Sequence, residues 1–238
     1  VAGLLLLLGW LAFPAAAAAR RNDSVVSEAS NFARMQGLYL RQGVERYETN
    51  EGNRVERTSV PFRIAYGVLH NLEVGADLPY LIYSGSSSGL GDIRLYQKYK
   101  FTEEDASAPA LAGGLALYLP TGDEDKQTGT GKAAFELYGV GLRTIDRFTI
   151  NLHLAYRFQG NSRYDNIFRY DLAIKTPLDQ FARGVSAVAE LNGSKGDWEE
   201  VYLTPALLWE PREDFSVWLG IQIGLTKDSY DYGTVLRV

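Results

Sequence analysis

The sequence contains no cysteine and only two histidines, His70 and His153. The first absence excludes disulfides, thiolate metal sites and cysteine nucleophiles, and the second argues against a multi-histidine metal site. Basic residues are not in excess either, because the net charge is −5, so the chain lacks the basic footprint of a nucleic-acid-binding protein. We therefore predict no metal, no cofactor and no nucleic-acid partner.

Long apolar runs and helical periodicity are missing after residue 19. Residues 1–19 carry no charge and combine a leucine-rich core with Pro14 and a run of alanines. The segment ends on three alanines, which fits the small-residue cleavage site of a secretory signal. We expect residues 1–19 to be a signal peptide that lacks its start, rather than a membrane-anchoring helix. Residues 20–33 are polar and unpatterned, and we interpret them as a periplasmic lead-in.

Strand alternation is what the remaining chain contains, and residues 148–158 show it most clearly. Every even-numbered residue from Phe148 to Phe158 is large and either apolar or aromatic, whereas the odd-numbered residues between them are small or polar. Successive side chains of a strand point to opposite faces, so one face is apolar throughout. A strand that crosses a bilayer needs roughly 9–11 residues, and aromatic residues suit its two ends. On this segment alone, a long strand of a soluble lipocalin-like barrel or sandwich fits equally well.

The connections between strands favour the membrane. The alternation recurs in about twelve segments, and short and long connections take turns along the chain, as expected for periplasmic turns and external loops. The short connections are 69–71, 102–108, 145–147, 178–181 and 211–214. The long connections are 49–58, 84–91, 121–131, 159–166, 193–199 and 226–232. Closure also removes sheet edges, which lipid does not tolerate. The sequence therefore predicts an all-β fold, a closed antiparallel up-and-down transmembrane barrel of about twelve strands over residues 34–238.

Glycine- and turn-rich motifs add a resemblance to a known family. They lie at residues 70–81, 89–93, 119–125 and 128–132. In combination they resemble the outer-membrane family named for the meta-pathway of phenol degradation. The resemblance implies a Gram-negative outer-membrane barrel that transports small solutes, with outer-membrane lipid and the barrel insertion machinery as partners. Such barrels usually end on an aromatic residue, whereas this chain ends Leu236-Arg237-Val238, so we expect a truncated last strand.

Three other motifs are weak. The segment 128–132 lacks the Walker spacing, and Ala133 stands where a phosphate loop needs Ser or Thr. The acids at 123–125 could bind a divalent cation, but such a run is more often a solvated loop. His153 could be the base of a lipid-modifying barrel enzyme. Its register points inward, however, and no serine pairs with it, so a lumen-lining histidine with a polar partner is favoured.

The inward-facing charges are the candidate functional site. Glu73 and Asp77 on one strand face Arg94, Lys98 and Lys100 on the next, and opposite charges on adjacent strands pair across a ladder. The further candidates around the barrel are His153, Arg157, Arg169, Asp171, Lys175 and Glu190. Twelve strands lie between small filled barrels and porins with open channels, so these charges either close the lumen by pairing or line a narrow wet pore.

The function predicted from these observations is non-enzymatic. We expect an outer-membrane channel or transporter in which small solutes pass passively through a narrow charged lumen. The resemblance extends the solutes to aromatic or apolar compounds. Two alternatives stay open, namely a lipid-modifying barrel enzyme that uses His153 as its base, and a sealed structural or adhesive surface barrel.

Overall fold

The structure, a computed structural model, describes residues 38–48, 56–83, 87–212 and 214–238. The expected signal peptide and lead-in lie outside these residues. The described part consists of strands joined by turns and loops. The strands are β1 (Leu38–Glu48), β2 (Glu56–Leu69), β3 (Leu72–Tyr83), β4 (Ser88–Leu90), β5 (Ile93–Thr102), β6 (Ala110–Leu119), β7 (Ala134–Ile145), β8 (Phe148–Phe158), β9 (Ile167–Pro177), β10 (Val185–Lys195), β11 (Glu199–Arg212), β12 (Phe215–Gly224) and β13 (Tyr232–Arg237). No helix in the described residues could cross a membrane.

The sheet closes on itself. Each strand pairs antiparallel with its neighbours, and β1 pairs with both β2 and β13. The short β4 pairs only with the external end of β3, just before β5 takes over as its partner, so the wall has twelve strands. Gln42 and Val238 exchange backbone hydrogen bonds of 3.0 and 2.9 Å across the closing seam. Inside the seam, Arg237 forms an ion pair with Glu45. The predicted closed antiparallel barrel of about twelve strands is confirmed.

The outer face of the barrel is apolar, and the inner face is mostly polar. On β8, Leu152 and Leu154 are each 43% exposed, whereas Asn151 and His153 are fully buried. The other strands repeat this pattern, with large apolar side chains exposed on the outside. Soluble monomers rarely expose an apolar surface of this extent. The barrel therefore presents a lipid-facing belt and is of the outer-membrane type.

A charge placed on this belt is expected to disrupt insertion. Leu152→Arg should destabilise the folded, inserted barrel by about 2–4 kcal/mol, the cost of an arginine that faces lipid near the midplane. Leu152→Met, which keeps the side chain apolar, is the control and should stay close to wild type. Folding titrations in lipid vesicles measure both. An equal, small effect of the two changes would contradict the assigned face.

The two ends of the barrel differ as predicted, with two exceptions. Residues 70–71 and 146–147 form tight turns at one end, and 120–133 form a long loop at the other. The expected long loop 193–199 is wrong in its extent, because the ladder continues to Lys195 opposite Glu199 and leaves a three-residue turn. The turn after β9 is longer than expected, since the Leu178 carbonyl accepts bonds from Phe181 and Ala182 before the chain reverses.

Surface labelling checks which end faces outward. We expect a cysteine at Lys126, an exposed residue of loop 120–133, to react with a membrane-impermeant maleimide on intact cells. A cysteine at Arg147, in an exposed tight turn at the opposite end, should react only after the outer membrane is permeabilised. The absence of native cysteine keeps the background low. Reaction of Arg147→Cys alone on intact cells would invert the topology.

The glycine-rich motifs build one compact loop at the loop end of the barrel. Asp92 holds it, because one carboxylate oxygen accepts a bond from the Gly122 amide at 3.1 Å and the other accepts bonds from the amide and hydroxyl of Thr130 at 2.9 and 3.0 Å. A Cβ on Gly122 would lie 2.6 Å from the Cα of Gly129, so this approach requires glycine. The motif therefore encodes loop geometry.

The acids of this loop also serve its fold. Asp123 Oδ1 accepts bonds from the amides of Asp125 and Lys126 at 3.0 and 3.2 Å, and its Oδ2 lies 3.3 Å from the Lys126 ammonium. Hydrogen bonds from Lys126 lower the pKa of Asp123. Within the ranges that the structure describes, no group of three or more acids and histidines is arranged to hold a metal ion.

Candidate functional site

The lumen of the barrel is filled by side chains rather than left as a wide pore. Among its charged residues, Glu73, Lys98, Glu136 and Glu190 have no accessible surface at all. A charge removed from water is tolerated only when it is paired or hydrogen-bonded. The ion pairs and hydrogen bonds of these buried charges therefore determine whether the lumen is sealed or can admit a solute.

One continuous chain of ion pairs runs around the inner face of the barrel from β2 to β9. Arg63 on β2 binds both carboxylate oxygens of Asp77 on β3. Arg94 on β5 bridges two acids, because its Nη1 lies 3.1 Å from Asp77 Oδ2 and its Nη2 lies 3.3 Å from Glu136 Oε1. The Arg94 guanidinium therefore connects the ion pair between β2 and β3 to Glu136 on β7.

Glu136 is the centre of this chain. Its carboxylate accepts bonds from Arg157 Nη2 at 3.3 Å and from the Tyr118 hydroxyl at 3.1 Å, and Arg169 Nη2 lies 3.6 Å away. The members of the chain, which we call the constriction cluster, are Arg63, Asp77, Arg94, Glu136, Arg157 and Arg169. Four arginines against two acids give the cluster a formal charge of 4 − 2 = +2. The cluster therefore carries a surplus of positive charge.

A second network surrounds His153. Its Nδ1 lies 2.6 Å from Asp171 Oδ2, and its ring meets Tyr138 edge-on at 5.9 Å. Asn192 Nδ2 donates to Asp171 Oδ1 at 2.8 Å and to Glu190 Oε1 at 2.7 Å. The buried histidine therefore has a carboxylate partner and an aromatic neighbour.

The remaining predicted residues fall into two groups. Lys98 Nζ lies 3.5 Å from Glu73 Oε1, which also accepts a 3.1 Å bond from the Tyr96 hydroxyl. Lys175 is buried in the wall as well. Lys100 differs, because it pairs with Glu103 at 2.6 Å at the turn end of β5 rather than with the acids of β3. This bond lowers the pKa of Glu103.

Sequence reasoning missed Glu136 and Arg63. Residues 132–145 looked like a weak strand because Gly139 and Gly141 occupy outward positions on β7 where large apolar residues are expected. The signal lay in the hairpin, since the tight turn at 146–147 places Glu136 directly opposite Arg157. A β-bulge between Gly67 and Leu69 sets the register that joins Arg63 to Asp77, and bulges are not evident from alternation.

A cavity of about 160 Å³, which we call the external cavity because we expect the loop end to face outward, lies toward the loop ends of β1, β2 and β9–β12. It is lined by Tyr47, Arg57, Arg169, Asp171, Asn192, Gly193, Ser194, Glu200, Tyr202 and Gln222. The Arg57 guanidinium stacks over the Tyr47 ring at 4.7 Å and lies 5.4 Å from the Tyr230 ring. Because Arg169 belongs to both, the cavity ends directly on the constriction cluster.

The sequence of residues 34–236 matches a family described as "Putative MetA-pathway of phenol degradation". This range includes nearly the whole barrel wall. It also includes every residue of the constriction cluster. No curated protein matches the chain.

One of the solved structures that the chain matches shares its fold. A crystal structure of an outer membrane channel from Pseudomonas putida F1 superposes with a TM-score of 0.69 and 14% identity, covering 91% of this chain and 98% of the other. A structure from work on in-meso crystallization of membrane proteins gives 0.43, with 12% identity and coverage of 83% and 82%. A mutant porin of Rh. blastica gives 0.29, with 8% identity and coverage of 84% and 99%. At such identities, the first match establishes the barrel fold.

Proposed function

The chain belongs to the phenol-degradation family matched above, and we propose that it is an outer-membrane channel that passes small solutes passively through a narrow charged lumen. The constriction cluster is the observation that carries this proposal. Replacing buried ion pairs with apolar residues is often neutral or stabilising. A barrel that only had to remain folded would gain nothing from six charges held inside its wall.

The arrangement along the barrel supports the same function. The polar external cavity shares Arg169 with the constriction cluster, so a solute in the cavity lies beside the guanidinium groups around Glu136. Twelve strands enclose less space than the 16–18 strands of open porins, so passage is narrow. Solutes that pass must exchange contacts with the paired charges.

The charge of the cluster sets the expected selectivity. A formal surplus of +2 attracts anions to the part of the lumen that the cluster occupies and repels cations from it. The family description points to aromatic compounds as solutes, and ionised forms of such compounds match this charge. The fold-sharing protein from Pseudomonas putida F1 is described as an outer membrane channel, which agrees with the proposal.

Planar-bilayer recording tests the proposal. We expect the purified protein to produce small, discrete conductance steps, well below those of a porin control, with a reversal potential that shows anion preference in a salt gradient. Liposomes that contain the protein should likewise swell in small solutes, more slowly than liposomes that contain the porin control. If neither assay detects passage while the porin control conducts, the sealed structural barrel becomes the better description.

A further inference from the structure

We propose that the external cavity is a binding site for small carboxylate anions, an inference that rests on the proposed function and names its solute class. The cavity combines two arginines, two tyrosine rings and two amides in a volume of about 160 Å³. Arginine matches a carboxylate because its planar N–H donors fit two oxygens at once. The chemistry of the lining therefore selects an anion with oxygen acceptors.

Unused hydrogen-bonding capacity points to the same ligand. In the described part of the chain, the buried Nε atoms of Arg57 and Arg169 and the Oε1 of Gln222 have no hydrogen-bond partner. All three residues line this one cavity. The amide of Gln222 can present its NH₂ group after a flip, because oxygen and nitrogen are interchangeable in such an assignment. Beside the cavity, these three residues therefore hold hydrogen-bonding capacity that the contacts of the described residues leave unused.

The size of the cavity limits the ligand. An apolar protein cavity of about 150 Å³ accommodates benzene. The external cavity is slightly larger, and the Tyr47 and Tyr202 rings supply apolar wall beside the guanidinium groups. A carboxylate with a body no larger than one benzene ring therefore fits.

Two acids also line the cavity and must be compatible with an anion. Both oxygens of Asp171 are already engaged, one by Asn192 and one by His153. Glu200 lies at the external end of β11 and is the nearby acid that opposes an incoming carboxylate. Its removal should therefore strengthen binding, whereas removal of Arg57 should weaken it.

Calorimetric titration of the folded barrel in detergent micelles tests the site without relying on conductance. The probes are benzoate, acetate and the neutral analogue benzamide. We expect saturable benzoate binding that is stronger than benzamide binding by about tenfold or more, since only the anion uses the guanidinium donors. Acetate should bind more weakly than benzoate because it leaves the tyrosine walls uncovered.

Variants decide whether the site is the external cavity. Arg57→Gln should weaken benzoate binding about tenfold, Glu200→Gln should strengthen it several-fold, and Lys126→Gln on the exposed loop should leave it unchanged. Thermal unfolding confirms that each variant is folded, and the opposite sign expected for Glu200→Gln guards against a general loss of structure. Equal binding of benzoate and benzamide, or no saturable heat, overturns the site even if the barrel conducts. Binding without conductance would instead overturn the channel and leave the site.

Discussion

Glu136→Gln is expected to increase anion selectivity and to lower the free energy of unfolding by about 3–5 kcal/mol, the range for breaking a buried ion pair from one side. Glu136 has no accessible surface and contacts Arg94, Arg157 and Arg169. The substitution leaves those three guanidinium groups with one compensating acid fewer. The formal charge of the constriction cluster rises to 4 − 1 = +3, so the reversal potential in a salt gradient should move further toward that of the anion.

The matched control is Glu124→Gln in the external loop. Glu124 pairs with Arg163 at 3.2 Å, and the two side chains are 36% and 78% exposed. An exposed pair contributes about 0–1 kcal/mol, and this one lies outside the constriction cluster. The control therefore makes the same chemical change without the expected effects. Equal reversal potentials for the two variants would show that Glu136 does not face the permeation path.

The fold was predictable because one physical signal repeats. Strand β8 alternates without interruption, and its inward and outward residues lie as the period predicts, with His153 buried and Leu152 exposed. The alternation of turns and loops then identified the up-and-down barrel. On β7 the outward positions 139 and 141 hold glycine, so the apolar alternation is weak there. Because this strand was hard to recognise, its inward residue Glu136 was missed.

Other features depend on register and closure, which a single sequence does not display. The bulge in β2 determines that Arg63 meets Asp77. The external cavity joins Tyr47 on β1 to Tyr202 on β11, whose rings lie 6.4 Å apart although the residues are far apart in the chain. Only the closed barrel brings them together. Comparison of neighbouring strands in the sequence can identify individual ion pairs. The constriction cluster and the external cavity involve several strands at once, so they can be recognised only in the closed barrel.

A final prediction separates charges that serve permeation from charges that serve the wall. The Glu73–Lys98 pair is fully enclosed, with both side chains 0% exposed and a 3.5 Å separation. Lys98→Met removes one partner and leaves a buried carboxylate, so the free energy of unfolding should fall by about 3–5 kcal/mol. The double variant Glu73→Gln/Lys98→Met removes both charges and should recover most of that loss, because the introduced amide oxygen can still accept the Tyr96 hydroxyl.

Denaturant unfolding in lipid vesicles measures the stabilities, and bilayer recording of the same proteins measures selectivity. Because the double variant removes one positive and one negative charge, it leaves the net charge of the lumen unchanged, and its reversal potential should shift much less than that of Glu136→Gln. A double variant that is as unstable as Lys98→Met would show that the two charges are held by other contacts rather than by each other. A shift in reversal potential as large as that of Glu136→Gln would extend the permeation path to this pair, so the constriction would then include β3 and β5 along their full inner face.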